Sequence, residues 1–117
     1  MNKRILIFSN NAFIFWDFYY PIIKTLLNGN KIILIQSNYG LSKDVLNQLN
    51  KLKKKFNLKY YIIDHKDFTK VSIKPHLKTK NFLIKISKLE FDNIFLPTDT
   101  EIFTRYIVSF FENKKIF

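Results

Sequence analysis

Residues 3–36 read KRILIFSNNAFIFWDFYYPIIKTLLNGNKIILIQ, and this stretch decides the fold. Its two continuous apolar runs, at 5–8 and 32–35, lack polar alternation, which is typical of strands buried on both faces. Between them, apolar residues at 22, 23, 26 and 27 follow helical spacing, and Gly29 can adopt the left-handed conformation that ends a helix. A strand, a helix and a second strand within about thirty residues predict a parallel βαβ unit.

The rest of the chain continues this alternation of strands and helices. The predicted elements along the rest of the chain are a helix from the N-cap Ser42 to about 56 and a strand at 58–63. A surface loop follows at 68–80, with a short helical turn in it as an alternative. Next come a helix at 81–89 with Phe82, Ile86 and Leu89 facing inward, a strand at 92–96 and a helix at 101–112. They predict one α/β domain over 1–117. We expect a three-layer Rossmann-like domain with a mainly parallel sheet of four to five strands, in the order 3-2-1-4(-5). The chain stops where 114–117 resemble the opening of a fifth strand, so we expect the N-terminal half of a longer two-domain architecture.

Composition excludes some classes of protein and weakens others. The chain has no cysteine, which excludes disulfides and cysteine-ligated metals. No signal peptide and no apolar run of about 18 residues is visible, so we expect a cytoplasmic protein, with peripheral contact at the inner face of the membrane as an option. The net charge of +11 suggests nucleic acid, but Arg4 and Arg105 are the only arginines, and the lysines at 51–55 suit the C-terminal end of a helix. We therefore predict no specific nucleic-acid partner.

Nucleotide and metal motifs are also missing. No G-x-G-x-x-G follows the first strand, there is no Walker A motif, and Gly29 and Gly40 each have a turn to explain them. His65 lies between Asp64 and Asp67, but the spacing suits a polar loop better than a metal site. We predict neither a cofactor nor a metal.

The predicted topology places candidate site residues at the carboxyl ends of strands one and four, where the strand order reverses. We take Asn10, Asn11, Thr98 and Asp99 as the candidate binding residues; Ser9 and Thr100 are close by, and Ser37, Asn38, Asp64 and His65 follow neighbouring strands. The amides could bind a hydroxylated ligand or only satisfy the turn, and Asp99 could be a base, a sugar-hydroxyl acceptor or a helix cap. No catalytic residue can be identified.

The aromatic run at 13–20 has two interpretations. It could be an apolar staple over the sheet edge, or a surface that contacts a second domain, another copy of the chain or lipid. Successive helical residues point about 100° apart, so the run cannot turn every ring inward. We take Phe15, Trp16, Phe18 and Tyr19 as the candidate interface or membrane residues.

The first βαβ unit resembles the N-terminal domain of GT-B glycosyltransferases, especially the family-4-like enzymes of cell-surface polysaccharide synthesis. The matching pieces are 4–7, Asn10-Asn11, 13–15, the Pro21 helix at 21–26 and the Gly29 turn at 29–32, and 91–97 is similar to a later strand of that domain. Many relatives carry a Ser-His-Arg stretch before the proline, where this chain has Asp17-Phe18-Tyr19. Whatever that imidazole and guanidinium contribute is missing here.

The resemblance implies the acceptor-binding half of a transferase, hexosyltransferase-like in its complete form. Its partner would be a sugar or glycolipid acceptor from polysaccharide or glycolipid assembly. The nucleotide-sugar donor would bind mainly to a second, C-terminal Rossmann domain, so the isolated chain should be inactive. The alternative, from another class, is a stand-alone, non-catalytic α/β binding or interaction module.

Overall fold

A computed structural model describes residues 3–9, 11–63 and 77–95 of the chain. Predictions for Asn10, Asp64, His65, Thr98, Asp99 and the helix at 101–112 lie outside these residues. So does the suggested fifth strand.

The described residues form a four-stranded parallel sheet. Its strands are β1 (Arg4–Ser9), β2 (Lys31–Ser37), β3 (Leu58–Ile63) and β4 (Asn93–Phe95), in the order β3-β2-β1-β4. Both predicted central runs are in place and parallel, with Ile5 opposite Ile32. The predicted α/β fold class and strand order are confirmed.

An irregular helical segment connects β1 to β2. A 3₁₀ turn (Ala12–Ile14) and a π-helical turn (Phe15–Tyr19) lead into α1 (Tyr20–Leu26). Pro21 has no N–H and its ring clashes with the carbonyl four residues back in a regular α-helix, so the hydrogen-bond ladder changes form just before it. Gly29, with φ +85°, ends the segment, and the Asn30 side-chain amide donates to the Leu26 carbonyl at 2.8 Å.

Two further helices lie among the described residues. Helix α2 (Lys43–Lys55) begins at its predicted N-cap, where the Ser42 hydroxyl accepts a hydrogen bond from the Val45 N–H at 3.3 Å. Helix α3 (Leu77–Ser87) precedes β4. Helices α1 and α2 cover one face of the sheet, with Ile23 and Leu49 packed on strand residues such as Ile7. Helix α3 covers the other face through Ile86, which packs with Leu6 and Ile94.

The predicted third helix was wrong in two details. It begins at Leu77, within the predicted loop, because Leu and Lys are good helix formers even where apolar periodicity is weak. Leu89 is 39% exposed, because the helix ends at Ser87 and Leu89 lies in the following turn. Phe82 and Ile86 face inward as predicted, the first half-buried and the second buried.

Candidate functional site

The strand order reverses between β1 and β4, so the crevice outside their carboxyl ends is the expected ligand site of this fold. We call this side of the sheet the carboxyl edge. Of the four candidate binding residues, Asn11 alone lies within the described ranges, together with its neighbour Ser9 and with Ser37 and Asn38 on the adjacent loop.

Asn11 holds the start of the helical segment. Its side-chain Oδ1 accepts a hydrogen bond from the Phe13 N–H at 2.9 Å, and the next residue, Ala12, donates its N–H to the Tyr39 carbonyl at 2.8 Å. The acceptor oxygen therefore serves the turn, the second of the two roles considered for this amide. Within the described ranges the Nδ2 of this half-buried side chain donates no hydrogen bond, which leaves it as a donor for a ligand.

Ser9 and Gln36 form a buried polar pair at the carboxyl edge. They are register partners at the ends of β1 and β2, on the face that α1 covers, and are 1% and 0% exposed. The Gln36 Nε2 donates to the Ser37 carbonyl at 2.9 Å and more weakly to the Ser9 carbonyl at 3.4 Å. The Ser9 Oγ and the Gln36 Oε1 have no hydrogen-bond partner in the part of the chain described here. Buried polar atoms without partners are rare and costly, so the pair calls for an explanation.

The sequence interpretation missed Gln36. A signal was present, since an amide directly after four apolar residues at the end of a buried strand must lie in an apolar setting. The pairing of Gln36 with Ser9 could not be predicted from the sequence, because it depends on the register of β2 on β1.

The neighbouring loop polar groups have structural roles. The Ser37 Oγ accepts a hydrogen bond from the Tyr39 N–H at 3.2 Å, and the Asn38 N–H donates to the Ile63 carbonyl at 2.9 Å. The first bond lies within the loop after β2, and the second attaches this loop to the end of β3. The loop therefore presents a firm side wall to the carboxyl edge.

The structure divides the candidate interface residues into two groups. Phe15 and Tyr19 are 0% and 3% exposed and belong to the core between the sheet and the helices, which corrects the expectation that they form a contact surface. Trp16 and Phe18 are 43% and 49% exposed. The alternation arises because the helical segment turns only one side toward the sheet.

Exposed apolar side chains continue from Trp16 and Phe18 toward the carboxyl edge. Phe13 is 69% exposed and Ile14 is 39% exposed. We call Phe13, Ile14, Trp16 and Phe18 the aromatic surface. Phe13 is fixed in place by an edge-to-face contact with Tyr39, with ring centroids 5.3 Å apart, and by Gly40, whose Cα the ring covers.

Other kinds of site receive no support within the described ranges. These residues contain no group of three side chains able to hold a metal ion. None of their helices is long and apolar enough to cross a membrane.

Comparisons of the chain with protein families, with characterised proteins and with solved structures give no match.

Proposed function

We propose that the chain is the acceptor-binding half of a GT-B-type glycosyltransferase of cell-surface polysaccharide or glycolipid assembly, and that the carboxyl edge of its sheet takes the acceptor. The observation that carries the proposal is the buried pair of unpartnered atoms, the Ser9 Oγ and the Gln36 Oε1, beside the point where the strand order reverses. Unused hydrogen-bonding capacity at this point of an α/β sheet favours a ligand-binding role.

The chemistry of the edge suits a neutral, hydroxyl-rich ligand. The side chains described there, Ser9, Asn11, Gln36, Ser37 and Asn38, carry hydroxyl and amide groups and no charge. Hydroxyls both donate and accept hydrogen bonds, so a sugar could donate to the Gln36 Oε1 and exchange bonds with the Ser9 Oγ. Since both side chains are buried, part of the structure that covers them must move to admit the ligand, and we expect weak binding.

The proposed domain would form only the acceptor side of an active-site cleft, and this side alone should not catalyse sugar transfer. Transfer needs donor and acceptor held together in a fixed geometry. Purified alone, the 117-residue chain should therefore not turn over UDP-glucose or UDP-N-acetylglucosamine in the presence of sugar acceptors. Measurable turnover would contradict the proposal that the donor and the acceptor bind to two separate domains.

Binding of neutral sugars tests the acceptor role directly. We would titrate the isotope-labelled chain with methyl glycosides of glucose, galactose and N-acetylglucosamine, and follow the backbone amides by NMR. Shifts should concentrate at Ser9, Asn11 and Gln36. Gln36→Met keeps the length of the side chain but removes the whole amide, both the Oε1 and the Nε2, and should weaken binding about tenfold.

A matched control is Gln48→Met on α2, where the amide Nε2 donates to the Tyr20 hydroxyl at 3.3 Å, away from the carboxyl edge. It should leave sugar binding unchanged. Absence of shifts at the carboxyl edge with every glycoside, or equal losses in both variants, would refute the acceptor role.

The second candidate function is a stand-alone interaction module, and the aromatic surface favours it. Four neighbouring large apolar residues, each at least 39% exposed, are more than a small domain needs to leave in water. Such a module would bind its partner through Trp16 and Phe18 and would ignore sugars.

A further inference from the structure

A second feature lies at the opposite, amino edge of the sheet, where the strands begin. A cavity of about 180 Å³ is lined there by seven residues. They are Arg4, Lys31, Ile32, Ile33, Asn57, Lys59 and Leu89.

Strand register brings the three cations of the cavity to one face. Arg4 is the register partner of Lys31, and Lys59 is the partner of Ile33, which is two residues beyond Lys31 on β2. Register partners share a face, and so do residues two apart on a strand. Strand spacings place the Cα atoms of Arg4 and Lys59 about 12 Å apart. Their long side chains can therefore converge on one ligand.

This face is only partly covered at its amino end. Helix α3 and its core cluster protect the face near Leu6 and Ile94. Toward the amino edge, Ile33 is half-buried and Leu89 is 39% exposed. The floor of the cavity is therefore apolar and reachable from solvent.

The cations lack carboxylate partners within the described ranges. Lys31 and Lys59 are exposed and make no ion pair there, and the Arg4 Nη1 reaches only the Glu90 carbonyl, at 3.4 Å. The Oδ2 of Asp92 accepts a hydrogen bond from the Arg4 backbone N–H at 2.8 Å, and the described contacts include no ion pair between this carboxylate and the Arg4 guanidinium. Three cations grouped without compensation repel one another and favour an anion between them.

We infer that the amino-edge cavity binds the phosphate group of a phosphomonoester. A dianionic phosphate gains from every cation, from the forked guanidinium of Arg4 and from the point charges of Lys31 and Lys59. The exposed Asn57 amide adds a neutral donor. The apolar floor at Ile33 and Leu89 accepts a hydrophobic substituent of the ester. This site is separate from the carboxyl edge, and its test does not depend on the proposed acceptor role.

The experiment compares phenyl phosphate with inorganic phosphate in an NMR titration of the full chain. Both should shift the amides of Lys31, Ile33 and Asn57, and phenyl phosphate should bind more tightly because its ring covers the floor. The double variant Lys31→Gln/Lys59→Gln should weaken both by about tenfold. Its control, Lys53→Gln/Lys54→Gln, makes the same charge change on exposed positions of α2 and should alter binding by less than about twofold.

Vesicles identify the source of the phosphate. Phosphatidic acid carries a phosphomonoester and phosphatidylglycerol a diester, so a preference for phosphatidic acid vesicles that the Lys31/Lys59 variant abolishes points to a lipid headgroup. Binding of phenyl phosphate without that preference points to a soluble ester, and both results support the site. The proposed site would be overturned if the amide shifts lie away from the cavity, or if both double variants lose the same amount of phosphate affinity. Binding to a single-stranded oligonucleotide alone would overturn it as well. Thermal melting of each variant confirms that it is folded.

Discussion

Replacing Ser9 by alanine should stabilise the protein. The Ser9 Oγ is buried and without a partner among the described residues, and a buried polar group left unsatisfied costs about 1–3 kcal/mol. Alanine removes the hydroxyl but leaves a small space, so we expect a net gain of about 1 kcal/mol in the free energy of unfolding. For a chain of this size that corresponds to a rise in Tm of about 3–6 °C.

Urea denaturation followed by circular dichroism measures the change. With an m-value of about 1.5 kcal/mol/M, the midpoint should rise by about 0.7 M while m stays the same. Ser42→Ala is the matched control, because the Ser42 hydroxyl accepts from the Val45 N–H at 3.3 Å and caps α2. The same chemical change should there lower stability by about 1 kcal/mol.

The essential result is that Ser9→Ala raises the free energy of unfolding whereas Ser42→Ala lowers it. If Ser9→Ala lowers stability as much as Ser42→Ala does, the Ser9 hydroxyl has a hydrogen-bond partner, and the reasoning about the buried pair fails. If stability rises while binding of the methyl glycosides weakens, the hydroxyl is retained for the ligand at the expense of stability.

Two further predictions use features of the helical segment. Gly29→Ala should lower the free energy of unfolding by about 1 kcal/mol, because Gly29 has φ +85° but no atom lies within 4 Å of the added Cβ. Gly40→Ala should lower it by about 2 kcal/mol, because φ is +72° and the added Cβ would also lie 2.5 Å from the Phe13 ring. In a double-mutant cycle measured by urea denaturation, Phe13→Ala should remove the additional loss of stability that Gly40→Ala causes. If the two glycine substitutions lower the free energy of unfolding equally, Gly40 does not lie in close contact with the Phe13 ring. For the aromatic surface, Trp16→Ser/Phe18→Ser should lower sedimenting self-association or liposome binding about thirtyfold, if half-exposed rings each contribute about 1 kcal/mol. A wild type that stays monomeric and ignores liposomes would leave the surface without an interaction role.

Much of the fold was readable from the sequence because the deciding signals are local. The continuous apolar runs of β1 and β2 indicated buried strands, Ser42 indicated the start of α2, and Gly29 indicated the end of α1. These patterns depend on a few neighbouring residues. The expected Rossmann-like topology, together with the rule that crossovers are right-handed, then led to the sheet order β3-β2-β1-β4.

The sites depended on tertiary structure, because they join residues distant in sequence. Only the packing of the irregular helical segment on the sheet determined that Phe15 is buried while Trp16 is exposed. Only the register of β1 on β2 paired Ser9 with Gln36 at one end of the sheet and Arg4 with Lys31 at the other. A shift of one residue in register would move every side chain of a strand to the other face, and no local pattern in this sequence specifies that alignment.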